Sequence, residues 1–416
     1  MHYIRFLRPP RLASGPGNRL QIQLLFTITT DLGDSFLFPD KPFDLQVTAS
    51  AASFEGSSTW LLSDPGRLYW EPGMRVAKPM VDLPVAFERA IDGGAQIQIC
   101  VRAAEPSQTA DGVARILAMA MEKPRYRKEA SRIGGVMPAW VSLGASNEAT
   151  DVSMRRLQLR DSPVGYVYVE VEEEIGESIA RHVWDAGVVA LCAIAGIDAL
   201  PDHESSQNPC MQALKGVLNS QKSINILELG CGVGILGVGL GAVFPRIATG
   251  ECKILMTDLP EAEARARSNI DRIRPQISET GESQVQMLYE NLDWEDARQG
   301  RFGHLAQSRP WDLVMLSDCT YNVDMLPALV ETLSAIHLAN LRHVPVGEPF
   351  TTKVFLATKP RHASERALFD LMENEGWETL HQQVLSLPVL GAEAESVELY
   401  LFDKSSLIND HEHESR

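Results

Sequence analysis

The segment that decides the fold of this chain is residues 226–237, which read ILELGCGVGILG. Its first residues form a short apolar strand that ends at Leu229, its middle is a glycine-rich turn, and a helical pattern begins at Ile235. Glycines let the backbone turn tightly and let a ligand approach the backbone amides closely. The segment therefore predicts the ligand-binding strand–turn–helix unit of a doubly wound α/β domain.

Two acidic residues near this turn help to distinguish between ligands. The glycines at 232, 234 and 237 satisfy the dinucleotide pattern GxGxxG, and Asp258 lies 21 residues beyond Gly237, so spacing alone permits a nicotinamide cofactor. However, Glu228 stands two positions before Gly230, where its carboxylate would repel a pyrophosphate. S-adenosylmethionine has no phosphate but carries a sulfonium and an ammonium group, so the sequence favours this cofactor. Asp258 can accept hydrogen bonds from both ribose hydroxyls, or it can cap the following helix.

Short apolar strands and helices alternate around this turn. We expect a long helix over 175–197 and then strands at 224–229, 254–257, 284–288, 313–317 and 353–357. Helices are expected at 235–243, 261–274, 325–336 and 363–375. Two final strands near 379–385 and 397–402 have no helix between them and should pair antiparallel at one edge. The alternation predicts an α/β, Rossmann-like, seven-stranded sheet with an antiparallel last strand.

The first part of the chain has a different pattern, in which apolar and polar residues alternate with period two. This pattern predicts a smaller β-rich domain, an antiparallel sheet or sandwich, with one helix at 113–121. We therefore divide the chain into a β-rich module at 1–165, a cofactor-binding domain at 166–408 and a disordered tail at 409–416.

Composition limits the partners and the compartment. The chain has 416 residues and a net charge of -17, which argues against binding along a nucleic-acid backbone and suits a basic protein partner. Its six cysteines include no CxxC pair, as expected for reduced thiols. The longest apolar stretch, 186–197, is too short to span a bilayer. We expect a cytoplasmic protein, with the nucleus as a second location, that is monomeric, binds no metal and does not associate with membranes.

Four motifs occur in order along the chain and resemble one protein family. They are Val183-Trp184-Asp185-Ala186-Gly187, the Glu-Leu-Gly-Cys-Gly turn, Leu292-Asp293-Trp294, and Asp318-Cys319-Thr320-Tyr321. This order resembles the eukaryotic family-16 seven-strand methyltransferases, a group of protein-lysine methyltransferases, over about residues 170–403. The segment at 359–362, with Glu365 and Gly376-Trp377, also looks like the stretch after the fifth strand in this family.

The resemblance implies contacts to S-adenosylmethionine at matching positions. Trp184 would lie against the cofactor, and Asp258 would hold the ribose. Trp294 would pack near the adenine, although Glu295 follows it here in place of the usual glycine. Ser317 would line the floor of the pocket. The backbone of the turn would follow the methionine part of the cofactor, so the turn contributes Glu228, Gly230, Cys231, Gly232 and Gly234.

Asp318 and Tyr321 are the candidate catalytic residues. The fourth strand of the expected sheet ends just before Asp318, and ligands in such sheets lie at the carboxyl ends of the strands. Methyl transfer to lysine needs a neutral, aligned amine, and a nearby carboxylate would raise the lysine pKa. We therefore expect Asp318 to position the amine or the loop, and Tyr321 to offer its ring face or hydroxyl. The alternative is that Asp318 caps the next segment and Tyr321 packs as a lid.

The sequence thus predicts a methyltransferase, most simply one that modifies a lysine of a protein and recognises it through the β-rich module. A second hypothesis is methylation of a small molecule, a nucleic acid or another protein side chain. The loop after the fourth strand lacks the prolines typical of base-amino methyltransferases. A third hypothesis is a cofactor-binding module without turnover, against which the intact glycine turn and Asp258 argue.

Overall fold

The computed structural model describes residues 1–51, 59–121, 134–143, 151–162, 165–176, 181–197, 208–219, 223–278, 284–345 and 348–405. The chain divides into two compact units. The first contains Met1–Asp185 and Ser386–Ser396, and the second contains Ala186–Leu385 and the residues from Val397 onward. The tail at 409–416 lies outside the described residues, so its expected disorder stays a prediction.

The first unit is rich in β-strands. These are β1 (His2–Phe6), β2 (Arg11–Ser14), β3 (Leu20–Gln23), β4 (Phe26–Thr30), β5 (Phe43–Ala51), β6 (Trp60–Leu61), β7 (Tyr69–Trp70), β8 (Met80–Asp82), β9 (Ile97–Ala103), β10 (Val136–Met137), β11 (Ala139–Leu143), β12 (Val152–Ser162) and β13 (Gly165–Glu174). They form one seven-stranded sheet and two three-stranded sheets. The helices are α1 (Val85–Asp92), which was not predicted, and α2 (Val113–Met121), which has the predicted limits.

The core of this unit follows from side-chain alternation along its strands. In β5 the residues at 43, 45, 47, 49 and 51 are buried, while those between them are not. They pack with residues of β4, β9 and β11, including Phe26, Ile99 and Val141. A strand with period-two burial covers a core on one face only.

Two predictions about the junction of the units are wrong. β13 continues to Glu174 and pairs antiparallel with β12 throughout, so the residues from 165 onward extend the first unit, not the second. The helix expected over 175–197 begins only at Asp185: it is α3 (Asp185–Ala195). Val169, Val171 and Glu173 are buried on alternating positions, so the strand pattern continues to the end of β13, beyond the predicted limit of the first module at residue 165.

The second unit contains a seven-stranded sheet between helices. Its strands are β14 (Ser223–Leu229), β15 (Glu251–Asp258), β16 (Val285–Asn291), β17 (Leu313–Ser317), β18 (Thr351–Thr358), β19 (Glu378–Leu387) and β20 (Glu395–Ser405). The helices after α3 are α4 (Pro209–Leu218), α5 (Ile235–Ile247), α6 (Pro260–Ser278), α7 (Trp294–Ala297), α8 (Leu326–Leu341) and α9 (Ala367–Asn374).

The sheet has the order β16-β15-β14-β17-β18-β20-β19. The first five strands are parallel, and β20 runs antiparallel to β18. The central strands are apolar and buried on both faces, as parallel sheets covered by helices are. Because the strand order reverses between β14 and β17, their carboxyl ends form the crevice where such sheets bind ligands.

Among the described residues, no helix is long and apolar enough to cross a membrane. All six cysteines are buried and free.

Candidate active site

The glycine turn after β14 is built from left-handed backbone. Gly230, Gly232 and Gly234 have φ values of 65°, 54° and 89°, and Gly234 is the N-cap of α5. Other residues adopt these angles only with strain, so the glycines are a requirement of this turn. The Cys231 backbone N–H donates to the Thr257 carbonyl over 3.0 Å, which joins the turn to the end of β15.

Gly230 has no room for a side chain. A Cβ atom there would lie 2.6 Å from the Cys319 sulfur and 3.3 Å from the Trp294 ring. Trp294 is half-buried at the start of α7, where Asp293 caps the helix by accepting from the Glu295 N–H. The turn is therefore enclosed by an indole on one side and by the loop after β17 on another.

Glu228 is completely buried at the end of β14. Neither oxygen of its carboxylate makes a hydrogen bond of good geometry with a described residue. Burial, together with the nearby charge of Asp258, raises the pKa of Glu228 to about 8, although the Gly237 backbone amide favours the charged form. A buried carboxyl without a partner is costly unless it binds something, so this group is a candidate ligand contact.

Asp258 contacts the same turn. One carboxylate oxygen accepts from the Gly232 N–H and the other from the Leu259 N–H, each over 2.7 Å. Burial raises the pKa of Asp258, while these two amide hydrogen bonds oppose the shift. The carboxylate keeps acceptor capacity beyond two amides, and it lies directly beside the glycine turn.

The start of α3 closes the floor of the site. A Cβ atom on Gly187 would lie 2.8 Å from Ile235 and 3.2 Å from the Ser317 hydroxyl oxygen. Ser317 is half-buried at the carboxyl end of β17. The predicted floor residue thus lies between α3 and the start of α5.

Asp318 is expected to position either the substrate amine or its own loop; its observed contacts hold the loop, and a contact with the amine stays a prediction. Its side chain is 5% exposed. One oxygen accepts from the Ala186 N–H at 2.7 Å, and the other accepts from the Lys359 N–H at 3.3 Å and from the Arg361 guanidinium at 3.1 Å. The carboxylate is thus occupied by donors of the protein itself, and it anchors the loop.

Tyr321 is the exposed member of this loop. It is 47% exposed, whereas Cys319 and Thr320 are buried. Burial of the rest of the ring raises the pKa of Tyr321; Cys319 and Asp258 add to this shift, and Arg361 opposes it. The charges of Asp258 and Arg361 thus shift the pKa of the Tyr321 hydroxyl in opposite directions, at the edge of the site.

The structure brings most of the predicted cofactor residues together, around one turn: Glu228, Gly230, Cys231, Gly232, Gly234, Asp258, Trp294 and Ser317. Trp184 is different, because it is half-buried in the first unit, directly before α3 rather than on a helix. Its contact with a cofactor stays a prediction.

Sequence reasoning assigned no role to four residues that shape this site: Cys319, Thr320, Arg361 and Glu365. Two of them follow Asp318 within the fourth motif, and two lie in the stretch after β18 that resembles the family. No local pattern shows that these two segments contact one another.

The site fits a cationic, phosphate-free cofactor. The enclosed glycine turn gives a ligand close access to backbone amides. The carboxyl groups of Glu228 and Asp258 lie beside the turn, and their negative charge would repel a phosphate. The described residues contain no group of three histidine, cysteine or acidic side chains that could hold a metal ion.

The sheet order and this turn define a Rossmann-like cofactor-binding domain. Residues 166–375 match the family model described as lysine methyltransferase. The chain belongs to this family, and it is an S-adenosylmethionine-dependent methyltransferase of the protein-lysine class.

Similar proteins cover different parts of the chain. A UPF0665 family protein of Schizosaccharomyces pombe, C23C4.06c, is 24% identical over 367 residues, which are 88% of this chain and 90% of that protein. The protein-lysine N-methyltransferase EFM6 of Saccharomyces cerevisiae is 26% identical over 49% of this chain and 73% of its own length. A solved SAM-dependent methyltransferase from Methanosarcina mazei is 11% identical with a TM-score of 0.30, over 44% of this chain and 93% of that one.

Proposed function

We propose that this protein transfers a methyl group from S-adenosylmethionine to the side-chain amine of a lysine in an intracellular protein. We also propose that it acts in the cytoplasm, with the nucleus as a second location. The observation that carries the proposal is the enclosed glycine turn beside a buried Glu228, whose carboxyl oxygens make no hydrogen bond of good geometry with a described residue. The family match and the relative named as a protein-lysine N-methyltransferase support a protein substrate.

In this proposal the residues around the turn hold the cofactor. When bound, S-adenosylmethionine supplies a methyl group activated by its sulfonium. Gly230, Cys231 and Gly232 present backbone to its methionine part, with Gly234 shaping the turn. Asp258 accepts from the ribose hydroxyls, and Trp294 packs on the adenine. Glu228 places a carboxyl beneath the turn, whose ionised form a cationic ligand would favour, and Ser317 lines the floor.

The ion pair of Asp318 has a chemical consequence for the substrate amine. Lysine in water has a pKa near ~10.4, and an isolated carboxylate beside it would keep it protonated. Arg361 neutralises the Asp318 charge within the protein. The loop therefore offers the amine a half-exposed aromatic ring, Tyr321, and the nearby Asp318 charge is already neutralised. A ring face attracts the ammonium form weakly, and partial desolvation favours the neutral nucleophile.

The β-rich unit is our proposed recognition module. The net charge of -17 favours a basic segment of the partner, and we propose that the protein acts as a monomer.

The first experiment measures binding by calorimetry with S-adenosylmethionine, S-adenosylhomocysteine, NAD and NADP. Binding of the first two alone supports the proposal, whereas binding of NAD alone overturns it. The second experiment incubates the protein with methyl-labelled cofactor and a desalted cell lysate, followed by mass spectrometry. Label on lysine is the expected result. Label on RNA or on a small molecule favours the second hypothesis, and cofactor binding without any labelled product favours the module without turnover.

A further inference from the structure

The loop Asp318–Tyr321 has an unusual distribution of buried and exposed side chains. Its first three side chains are buried, and only the fourth projects to the surface. Asp318 is also the one non-glycine residue with a positive φ, 53°, in the part of the chain that the structure describes. Such a backbone persists only where surrounding contacts hold it.

Each of the three buried side chains has its own anchor. Asp318 binds the amides of Ala186 and Lys359 and the guanidinium of Arg361. The Cys319 sulfur lies against the Leu229 and Gly230 carbonyls, 3.4 Å and 3.7 Å away. These contacts fix the beginning of the loop against the glycine turn and against the start of α3.

The residue adjacent to Tyr321 is held by a separate group. The Thr320 hydroxyl donates to the Glu365 carboxylate over 2.7 Å, and it also lies 2.7 Å from the Thr358 hydroxyl. The other Glu365 oxygen accepts from the backbone N–H groups of Arg361 and His362, each over 3.0 Å. Glu365 is 4% exposed, so its carboxylate ties the loop after β17 to the loop after β18.

We propose that the Thr320–Glu365 hydrogen bond positions Tyr321 for methyl transfer. Thr320 and Glu365 are buried and hydrogen-bonded to each other, so in this proposal they act through Tyr321, the residue that follows Thr320. Fixing a reacting group within a fraction of an ångström is worth large factors in rate, and a shift of about 1 Å can cost about 100-fold. This inference rests on the proposed function, since it takes Tyr321 to be the residue that meets the lysine.

The test variant is Thr320→Val, which keeps the shape of the side chain and removes its hydroxyl. Thr320→Ser is the conservative variant, because it restores the hydroxyl. The matched control is Thr352→Val: Thr352 is also buried, also makes two side-chain hydrogen bonds, to His337 and Asn340, and lies at the opposite end of β18. Thr352 lies six positions before Thr358 on this strand, which is about 20 Å.

Three quantities are measured for each variant: the initial rate of methyl transfer from labelled S-adenosylmethionine to a desalted lysate at saturating cofactor, the Kd for S-adenosylhomocysteine, and the Tm. We expect Thr320→Val to lose about 10- to 100-fold in rate, with Kd within about twofold, and Thr320→Ser to recover most of the rate. Thr352→Val should lower the Tm about as much as Thr320→Val while keeping the rate of the folded enzyme. Equal losses of rate in the two valine variants, or a full rate for Thr320→Val, would overturn the proposal.

A second readout does not depend on activity. Tyrosines are replaced by 3-fluorotyrosine, and the ¹⁹F resonance of Tyr321 is assigned among the eight tyrosines with Tyr321→Phe. Thr320→Val should broaden or shift this resonance, and Thr352→Val should leave it in place. If the wild type methylates no protein but the resonance responds as expected, the proposed function fails and the positioning contact stands. An unchanged resonance in an active enzyme rejects the positioning contact alone.

Discussion

The Asp318 carboxylate accepts a 2.7 Å hydrogen bond from the backbone N–H of Ala186, 132 residues earlier in the chain. Through this contact the loop after β17 holds the first turn of α3, where the backbone N–H groups have no partner within the helix. The same carboxylate pairs with the buried guanidinium of Arg361. Asp318 is therefore a structural anchor of the active site.

Because Asp318 anchors the loop, we expect Asp318→Ala to lower the free energy of unfolding as well as the rate of methyl transfer. Removing one partner of a buried ion pair leaves the other charge uncompensated, which costs about 3–5 kcal/mol in free energy of unfolding. The control is Asp271→Ala, which breaks an exposed pair with Arg274 and should change stability by about 0.5 kcal/mol or less. Urea denaturation measures both variants. If Asp318→Ala is as stable as the wild type but inactive, direct contact with the substrate is the better explanation.

Gly230→Ala should weaken cofactor binding, because its Cβ would lie 2.6 Å from the Cys319 sulfur in a residue with φ of 65°. Gly376→Ala is the control, since Gly376 has φ of 77° but a Cβ added there would meet no atom within 4 Å. Both variants have similar backbone strain, about 1–2 kcal/mol. Calorimetry with S-adenosylhomocysteine should show at least about a 10-fold loss, about 1.4 kcal/mol, for Gly230→Ala only. Normal binding by that variant would place the cofactor elsewhere.

Asp258→Ala should weaken binding of S-adenosylhomocysteine by about 1–3 kcal/mol, the usual effect of losing hydrogen bonds to a charged group. Because Asp258 also binds the Gly232 amide, the loss alone does not identify the ribose contact. The 2′-deoxy analogue of the ligand provides the comparison. Wild type should bind the analogue more weakly than the parent compound, and Asp258→Ala should bind the two equally. If the variant still discriminates between them, Asp258 only supports the turn.

Glu228 should make stability depend on pH. Its ordinary pKa of 4.5 is raised to about 8 in the folded protein, chiefly by burial. Between these values the unfolded chain has released the proton that the folded chain keeps, so the folded state loses stability as pH rises, by at most about 1.4 kcal/mol per pH unit. Glu228→Gln should remove this contribution and flatten the dependence between about pH 5.5 and 7.5 in urea denaturation.

The control for this pH dependence is Glu263→Gln. The pKa of Glu263 is lowered, first by its hydrogen bond from Asn291, so its contribution is lost only as pH falls below its ordinary 4.5. The control should therefore keep the wild-type slope above about pH 5.5. A Glu228→Gln variant with that same slope would mean that the carboxyl is ionised in the folded protein.

Much of the second unit could be predicted from local patterns. The strand at 313–317 has the predicted limits, as does the helix at 113–121 in the first unit, because continuous apolar runs and helical spacing are local properties. The helix expected over 175–197 begins ten residues later, at Asp185, and β13, which ends at Glu174, pairs with β12 in the first unit. Pairing between strands is not encoded in a single segment, so the division of the chain near residue 165 was misplaced with it.

The sequence by itself determined the glycine turn and its two acidic neighbours, because backbone conformation and strand ends depend on nearby residues. Gly230, Gly234 and Asp258 accordingly lie where the pattern predicts them. Only the tertiary structure decided that Asp318 is anchored by Ala186 and Arg361, 132 and 43 positions away, and that Tyr321 remains exposed. The sequence alone does not show which hydrogen-bond donors a carboxylate will contact in the folded chain. Its role depends on which donors the folded chain brings to it, and burial makes those donors obligatory.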